Sequence, residues 1–266
     1  MARPDDEVYT HSHEPVVLAS HASRTAEEAA AFLLPHLTPG MRLLDLGCGP
    51  GSITIGLARY VAPAETIGID QAPPALEAAR QLAADHNVGN VQFQQADVYE
   101  LPFHDDSFDV VHGHQILQHL ADPVAALIEA RRVLRRGGYL AVRDADYQTM
   151  THYPHDPMID RWLAGYRERA RQNGGEPDAG RRLAAWARAA GFEHIRATAS
   201  TWLFATPEER RGWANLWVGR SLRGGDDRAS PYGDEAPAIA EAFDGWADHP
   251  DGWFGFIHGE VLARKT

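Results

Sequence analysis

Only one cysteine, Cys48, occurs among 266 residues, so no internal disulfide framework is available. No stretch approaches the roughly 18 uninterrupted apolar residues that a membrane span needs. The opening MARPDDEV lacks the apolar run of a secretory signal. Positive charge is in deficit: 25 Lys and Arg stand against 37 Asp and Glu, a formal net charge of -12. An acidic surface repels a phosphate backbone and an anionic bilayer alike. Internal repeats and low-complexity tracts are missing, and no Cys/His cluster has metal-ligand spacing. His152 and His155 form half a site at most, because Pro154 breaks any helix that would align them. These absences predict a cytoplasmic protein that binds neither nucleic acid, membrane nor metal. They leave room for a homodimer.

What is present is ordinary for a globular chain: 44% apolar and 23% charged residues. Residues 1–24 read as an irregular amino-terminal arm. Thr25 and Glu28 form a capping box for a helix with Ala29, Phe32, Leu33 and Leu37 on one stripe, ended by Pro39-Gly40. Strand-like and helix-like segments then alternate. Strands are expected over 41–46, 66–69, 91–95, 108–111 and 138–143, with helices over 52–61, 73–86 and 123–135. Such alternation builds a parallel sheet with helices on both faces. Beyond residue 146 the pattern becomes mainly helical, with starts at Asp156-Pro157, Asp178 and Thr206, and strands over 192–204 and 253–263. One domain, 1–266, is expected, with helical caps at 147–191 and 206–250.

The richest chemistry lies in Leu43-Leu44-Asp45-Leu46-Gly47-Cys48-Gly49-Pro50-Gly51. An apolar strand runs into a glycine turn and a helix follows. Its unpaired amides and close backbone approach suit a nucleotide-like ligand. A dinucleotide fingerprint would place its third glycine at residue 52, which is Ser52. Asp70 ends the second strand, where a carboxylate can accept both ribose hydroxyls. Asp97 follows the third strand, within reach of an adenine amino group. A glycine turn alone is often only a turn; a turn with an acid after each of the next two strands points to an adenosyl ligand.

On these residues the chain resembles the class I S-adenosylmethionine-dependent methyltransferases, in the broad group related to ubiquinone and menaquinone methyltransferases. The matching pieces are DLGCGPG at 45–51, GID at 68–70, QADVYELPFHDDSFDVV at 95–111 and RVLRRGGYL at 132–140. The resemblance covers roughly residues 25–145. It implies an α/β Rossmann-like three-layer sandwich: a seven-stranded, mostly parallel sheet with an antiparallel last strand, plus helical lid insertions. It implies S-adenosylmethionine as cofactor, with Asp45, Gly47, Gly49 and Gly51 around its amino-acid portion and Arg24 on its carboxylate. Asp70 and Gln71 would hold ribose, Asp97 and Val98 adenine, while His114 and Gln115 line the sulfonium side. Arg136 stands where the group often has proline, and the amino-terminal signature of true quinone methyltransferases is missing.

Methyl transfer requires alignment and exclusion of water. A hydroxyl or protonated amine also needs a base that works near neutrality, which suits histidine. His114, His11, His13 and Asp146 are the catalytic candidates. His114 and His119 follow the fourth strand; Asp144, Asp146 and Tyr147 follow the fifth. The arm contributes Tyr9, His11, His13 and His21. Asp144 and Asp146 alternate along a strand and so are expected on one face, able to orient an acceptor. Trp213 and Trp217, at helical spacing, read first as core; facing a cleft with Trp202 and Phe204, they would stack on a flat acceptor. The expected reaction is O- or N-methylation of a small, aromatic or heterocyclic molecule. The alternatives are C-methylation, or a cyclase or decarboxylase that binds the same cofactor without transfer.

Overall fold

The computed structural model describes residues 24–222, 230 and 232–266. Tyr9, His11, His13 and His21 lie outside the described residues.

The alternation becomes β1 (Leu43–Leu46), α2 (Ser52–Val61), β2 (Thr66–Asp70), α3 (Pro73–Asp85), β3 (Val91–Gln95), β4 (Phe108–His114), α4 (Pro123–Val133) and β5 (Leu134–Ala145), preceded by the short α1 (Ala26–Ala29). There follow β6 (Thr151–Tyr153), α5 (Pro157–Gln172), α6 (Leu183–Ala189), β7 (Glu193–Phe204), α7 (Pro207–Leu222), α8 (Ala236–Asp248) and β8 (Trp253–Arg264). The sheet runs β3-β2-β1-β4-β5-β8-β6, and β7 pairs with β8. β1 to β5 pair in parallel; β8 is antiparallel to β5, β6 and β7. The antiparallel last strand is as expected. The extra strand is β6, three residues beside Trp253–Gly255.

Helices cover both faces because the central strands are buried on both: β1 and β4 contain no exposed residue. Leu44, Leu46, Val111, Leu140 and Val142 face α4 and α6. Leu43, Val110, Ala141 and Leu262 face α1 and α2. Asp122 caps α4, accepting the Ala125 amide at 2.9 Å, with Pro123 at the first position where no amide is needed. A third cluster joins α5, α7 and α8 to β8 through Trp162, Tyr166, Trp217, Phe243 and Phe254; α8 puts Ile239, Phe243 and Trp246 on its buried face.

One segment departs from the expected pattern. Thr25 does cap a helix, accepting the Glu28 amide at 3.3 Å, but that helix ends at Ala29. Ala30 leaves the helical region at φ -129° and ψ 20°, and a 3-10 turn over Leu34–His36, with Pro35 inside it, follows. In the segment 147–191, α5 joins the aromatic cluster, whereas α6 buries Leu183 and Ala187 against the sheet.

Candidate cofactor and acceptor site

Register brings the chemistry to one edge. Leu46 lies opposite Gly113, and His114 lies opposite Arg143. Arg143 in turn faces Glu260, and Ala145 faces His258. Gly47 therefore leaves β1 beside the end of β4, with His114, Arg143 and His258 next along the carboxyl edge. In parallel α/β sheets this edge is where ligands bind.

The loop after β1 is shaped by its backbone. Gly47, Gly49 and Gly51 all have positive φ, at 61, 51 and 79°. At Gly51 a side chain is also excluded by space, since a Cβ would lie 2.8 Å from Ala79 Cβ and 2.9 Å from the Phe93 ring. At Gly49 a Cβ would meet nothing within 4 Å, so this face of the loop is open to a ligand. Asp70 accepts the Gly49 amide at 2.9 Å on one oxygen and the Ala72 amide at 2.9 Å on the other. A carboxylate offers about four lone-pair directions, so two remain for a pair of ribose hydroxyls. The Asp70 carbonyl accepts the Ala96 amide at 3.3 Å, which brings Asp97 close to Asp70. Asp97 accepts the Tyr99 amide at 2.9 Å, beside the buried Val98. The Gln71 carbonyl accepts the Gln95 side chain at 3.0 Å. An open glycine cradle with two acids beyond it fits an adenosyl group.

Asp45 takes a different part from the expected one. Its oxygens receive Thr54 Oγ1 at 2.5 Å and His112 Nδ1 at 2.7 Å, and the residue is buried between β1, β4 and α2. Asp45 braces the strand beneath the loop, its carboxylate buried with Thr54 and His112 and not presented at the loop's open face.

His114 is buried, with Nδ1 3.5 Å from Arg143 Nη1. Burial, then the charges of Arg24 and Arg143, push its pKa well below the usual imidazole range. A guanidinium only donates, so Nδ1 is the accepting nitrogen and the ring proton sits on Nε2. In this tautomer His114 presents a proton, not a lone pair, on Nε2. Gln115, in the left-handed region at φ 53°, turns its amide nitrogen to His258 Nε2 at 2.7 Å. Arg24 lies over the Trp202 ring at 5.1 Å, and Arg143 at 5.3 Å. Arg143 also reaches Ser200 at 3.0 Å and Glu260 at 3.4 Å.

The two acids at the end of β5 are separated from this cluster. Asp144 alternates to the opposite face, where it accepts the Gln118 amide at 3.0 Å. Burial raises its pKa to about 8. Asp146 is gripped by Arg181 at 2.6 and 2.7 Å, a bidentate bridge that occupies both oxygens. The bridge ties the end of β5 to the segment before α6. His119 Nε2 meets Gln118 at 3.1 Å, and Tyr147 stacks on Tyr166 at 4.5 Å.

Trp213 and Trp217 belong to the aromatic cluster. Trp202 and Phe204 pack against the same cluster, and Trp202 also reaches the site, 4.3 Å from the His258 ring and 5.7 Å from Phe256. His152 and His155 do find a third group, Asp160, at 4.0 and 3.5 Å. His152 Nε2 accepts the Asp156 amide at 3.0 Å. Its remaining ring proton then points to Asp160, and that imidazole keeps no second lone pair for a metal.

Sequence reasoning missed Arg143, His258 and Glu260. The signal was there: His258 and Glu260 alternate with apolar residues in a strand and so share a face, as do His112 and His114.

A glycine cradle and two acids at the carboxyl edge of a sheet whose last strand runs antiparallel define a Rossmann-like enzyme that binds an adenosyl cofactor. A family profile described as "Methyltransferase domain" matches residues 37–185. An uncharacterized methyltransferase of Schizosaccharomyces pombe is 34% identical over 277 residues, covering 100% of this chain and 99% of the relative. YcgJ of Bacillus subtilis shares the fold at a TM-score of 0.59 and 22% identity, over 89% of this chain and 97% of its own. The [4+2]-cyclase SpnF matches at 0.57 and 26%, over 89% and 80%. The chain belongs to the methyltransferase-domain family, and its cofactor is S-adenosylmethionine.

Proposed function

We propose that the protein methylates an oxygen or nitrogen of a small, aromatic or heterocyclic molecule. The observation that carries this is one continuous edge: the glycine loop, then the polar group of His114, Arg143 and His258, then the aromatic wall of Trp202 and Phe256. In this reading Gly47, Gly49, Gly51 and Arg24 hold the cofactor's amino-acid end, Asp70 and Gln71 its ribose, and Asp97 and Val98 its adenine. Bound there, the cofactor supplies an electrophilic methyl group on a sulfonium with a good neutral leaving group. His114 orients the acceptor, while Trp202 and Phe256 exclude water and offer a flat apolar surface. The net charge of -12 supports a small-molecule partner over a nucleic acid. Among the described residues no helix is long and apolar enough to cross a membrane.

The test is transfer of label from methyl-labelled S-adenosylmethionine to a panel of phenols, carboxylic acids, amines and heterocycles. Labelled product that disappears in a His114→Ala variant supports the assignment. A second reading is favoured by the resemblance to a protein titled a cyclase: cofactor binding without transfer. Conversion of an acceptor with no label incorporated would establish that reading instead.

A further inference from the structure

Two imidazoles at the sheet edge are held in the tautomer that gives a proton to a hydrogen bond. The side-chain amide nitrogen of Gln115 can only donate, so His258 Nε2, 2.7 Å away, accepts and the ring proton lies on Nδ1. At His114 the donor is Arg143 Nη1, 3.5 Å from Nδ1, so the ring proton lies on Nε2. His114 Nε2 and His258 Nδ1 are both buried, and neither has a hydrogen-bond partner among the described residues. The two rings stack with centroids 6.2 Å apart. Leaving a buried donor unmet is unfavourable, and two such donors together call for a ligand rich in lone pairs.

We infer that this pair receives an ionised oxygen of the methyl acceptor: a carboxylate, or a phenol or enol acidic enough to reach the site already ionised. The inference rests on the methyltransferase reading above and narrows it.

The surrounding charges favour the same ligand. Arg143, fully buried, carries positive charge to the rings from β5, and Arg24 does so from the segment before α1. The acids that act on Arg143 are Glu260 on β8, 3.4 Å away and also bonded to Thr198 at 2.8 Å, then Asp144 on β5 and Glu28 on α1. From β7 the neighbours are the neutral Ser200 and Trp202. An amine would bring N–H groups that find no lone pair on these two rings. A neutral alcohol would need a base, and the only lone pair on the His114 ring already faces Arg143. His112 is the competing base: its Nδ1 bonds Asp45, which leaves the lone pair on Nε2. It lies one pleat deeper in β4 and is fully buried.

With an ionised acceptor the step balances without a base. An oxygen lone pair forms the new O–C bond, the C–S bond breaks with its electron pair staying on sulfur, and no proton leaves.

The experiment is calorimetric titration of the full chain, saturated with S-adenosylhomocysteine, using benzoate and 4-nitrophenolate against benzamide and benzylamine. The anions are expected to bind about tenfold or more tightly than the neutral and cationic probes, the scale of a charge-assisted hydrogen bond. His258→Phe, which keeps a ring of similar shape, should lose that preference and still bind S-adenosylhomocysteine. Nitrogen-15 spectra of the wild type should show protons on His114 Nε2 and His258 Nδ1. Equal or tighter binding of benzylamine or benzamide, no binding of any probe, or the opposite tautomers would overturn the inference. So would turnover of neutral alcohols with a rate that falls in acid, which assigns a base to His112. Failure to bind S-adenosylhomocysteine would instead count against the methyltransferase reading itself.

Discussion

His112 directs Nδ1 at an oxygen of Asp45 across 2.7 Å, and the two residues sit opposite each other in neighbouring strands. Thr54 takes the other oxygen at 2.5 Å, so one carboxylate ties β1 to β4 and to the helix that follows the glycine loop. Removing it strands two buried polar groups. Asp45→Ala is expected to cost about 3 kcal/mol, lowering Tm by roughly 6–12 °C, whereas Asp45→Asn keeps both contacts and costs about 1 kcal/mol. Thermal denaturation checks this. An unchanged Tm with weaker cofactor binding would instead return Asp45 to the ligand.

The glycine loop separates folding from binding. Gly51→Ala forces a Cβ into Ala79 and Phe93 at a positive φ, costing about 3 kcal/mol. Gly49→Ala meets open space and costs about 1 kcal/mol of backbone strain. Its larger effect should be on affinity for S-adenosylmethionine. Paired melting and titration curves distinguish the two; equal losses of stability would contradict the assigned geometry.

Stability should peak near the ordinary histidine pKa. Burial depresses His114 and His258, so the unfolded chain binds those protons first. Their contribution is complete above about pH 6.5 and falls as the solution is acidified. Asp144 has the opposite sign. Raised to about 8, it holds its proton in the folded chain after the unfolded chain has released it, so stability falls as pH climbs to about 8. Below about pH 6.5 the two histidines outweigh the one aspartate, and above it the aspartate acts alone. Each limb is limited to about 1.4 kcal/mol per pH unit per group. Asp144→Asn should flatten the alkaline limb of a chemical denaturation series; an unaltered limb would contradict the assignment.

Asp146 and Arg181 should behave as one unit. Asp146→Asn and Arg181→Ala are each expected to lower Tm by roughly 2–6 °C and to reduce kcat/KM less than about tenfold, without altering the shape of its pH profile. A loss of about a thousandfold in Asp146→Asn alone would restore the catalytic role expected from sequence.

The sheet was legible because its signals are local. Turn glycines, Asp122-Pro123 and short apolar runs each specify their own element, and β3 and α2 fall where expected. Asp70 and Asp97, at the ends of the second and third strands, were legible as a pair. The part of Asp45, inside the first strand, was not: the contacts with Thr54 and His112 define it. The roles of His114, Asp144 and Asp146 were hidden for the same reason. Arg143, Gln118 and Arg181, which decide them, are set by pairing and by loop return. His258 is 143 residues from its partner Gln115, a distance at which periodicity is silent.

Asp70 holds the glycine loop through the Gly49 amide and is proposed to hold the cofactor's ribose. Titrating wild type and Asp70→Ala with S-adenosylmethionine by calorimetry tests it most directly. Loss of two hydrogen bonds to a charged acceptor predicts affinity weakened by about a hundredfold or more, with heat still released by the wild type under the same conditions. Equal affinities in the two proteins would contradict it.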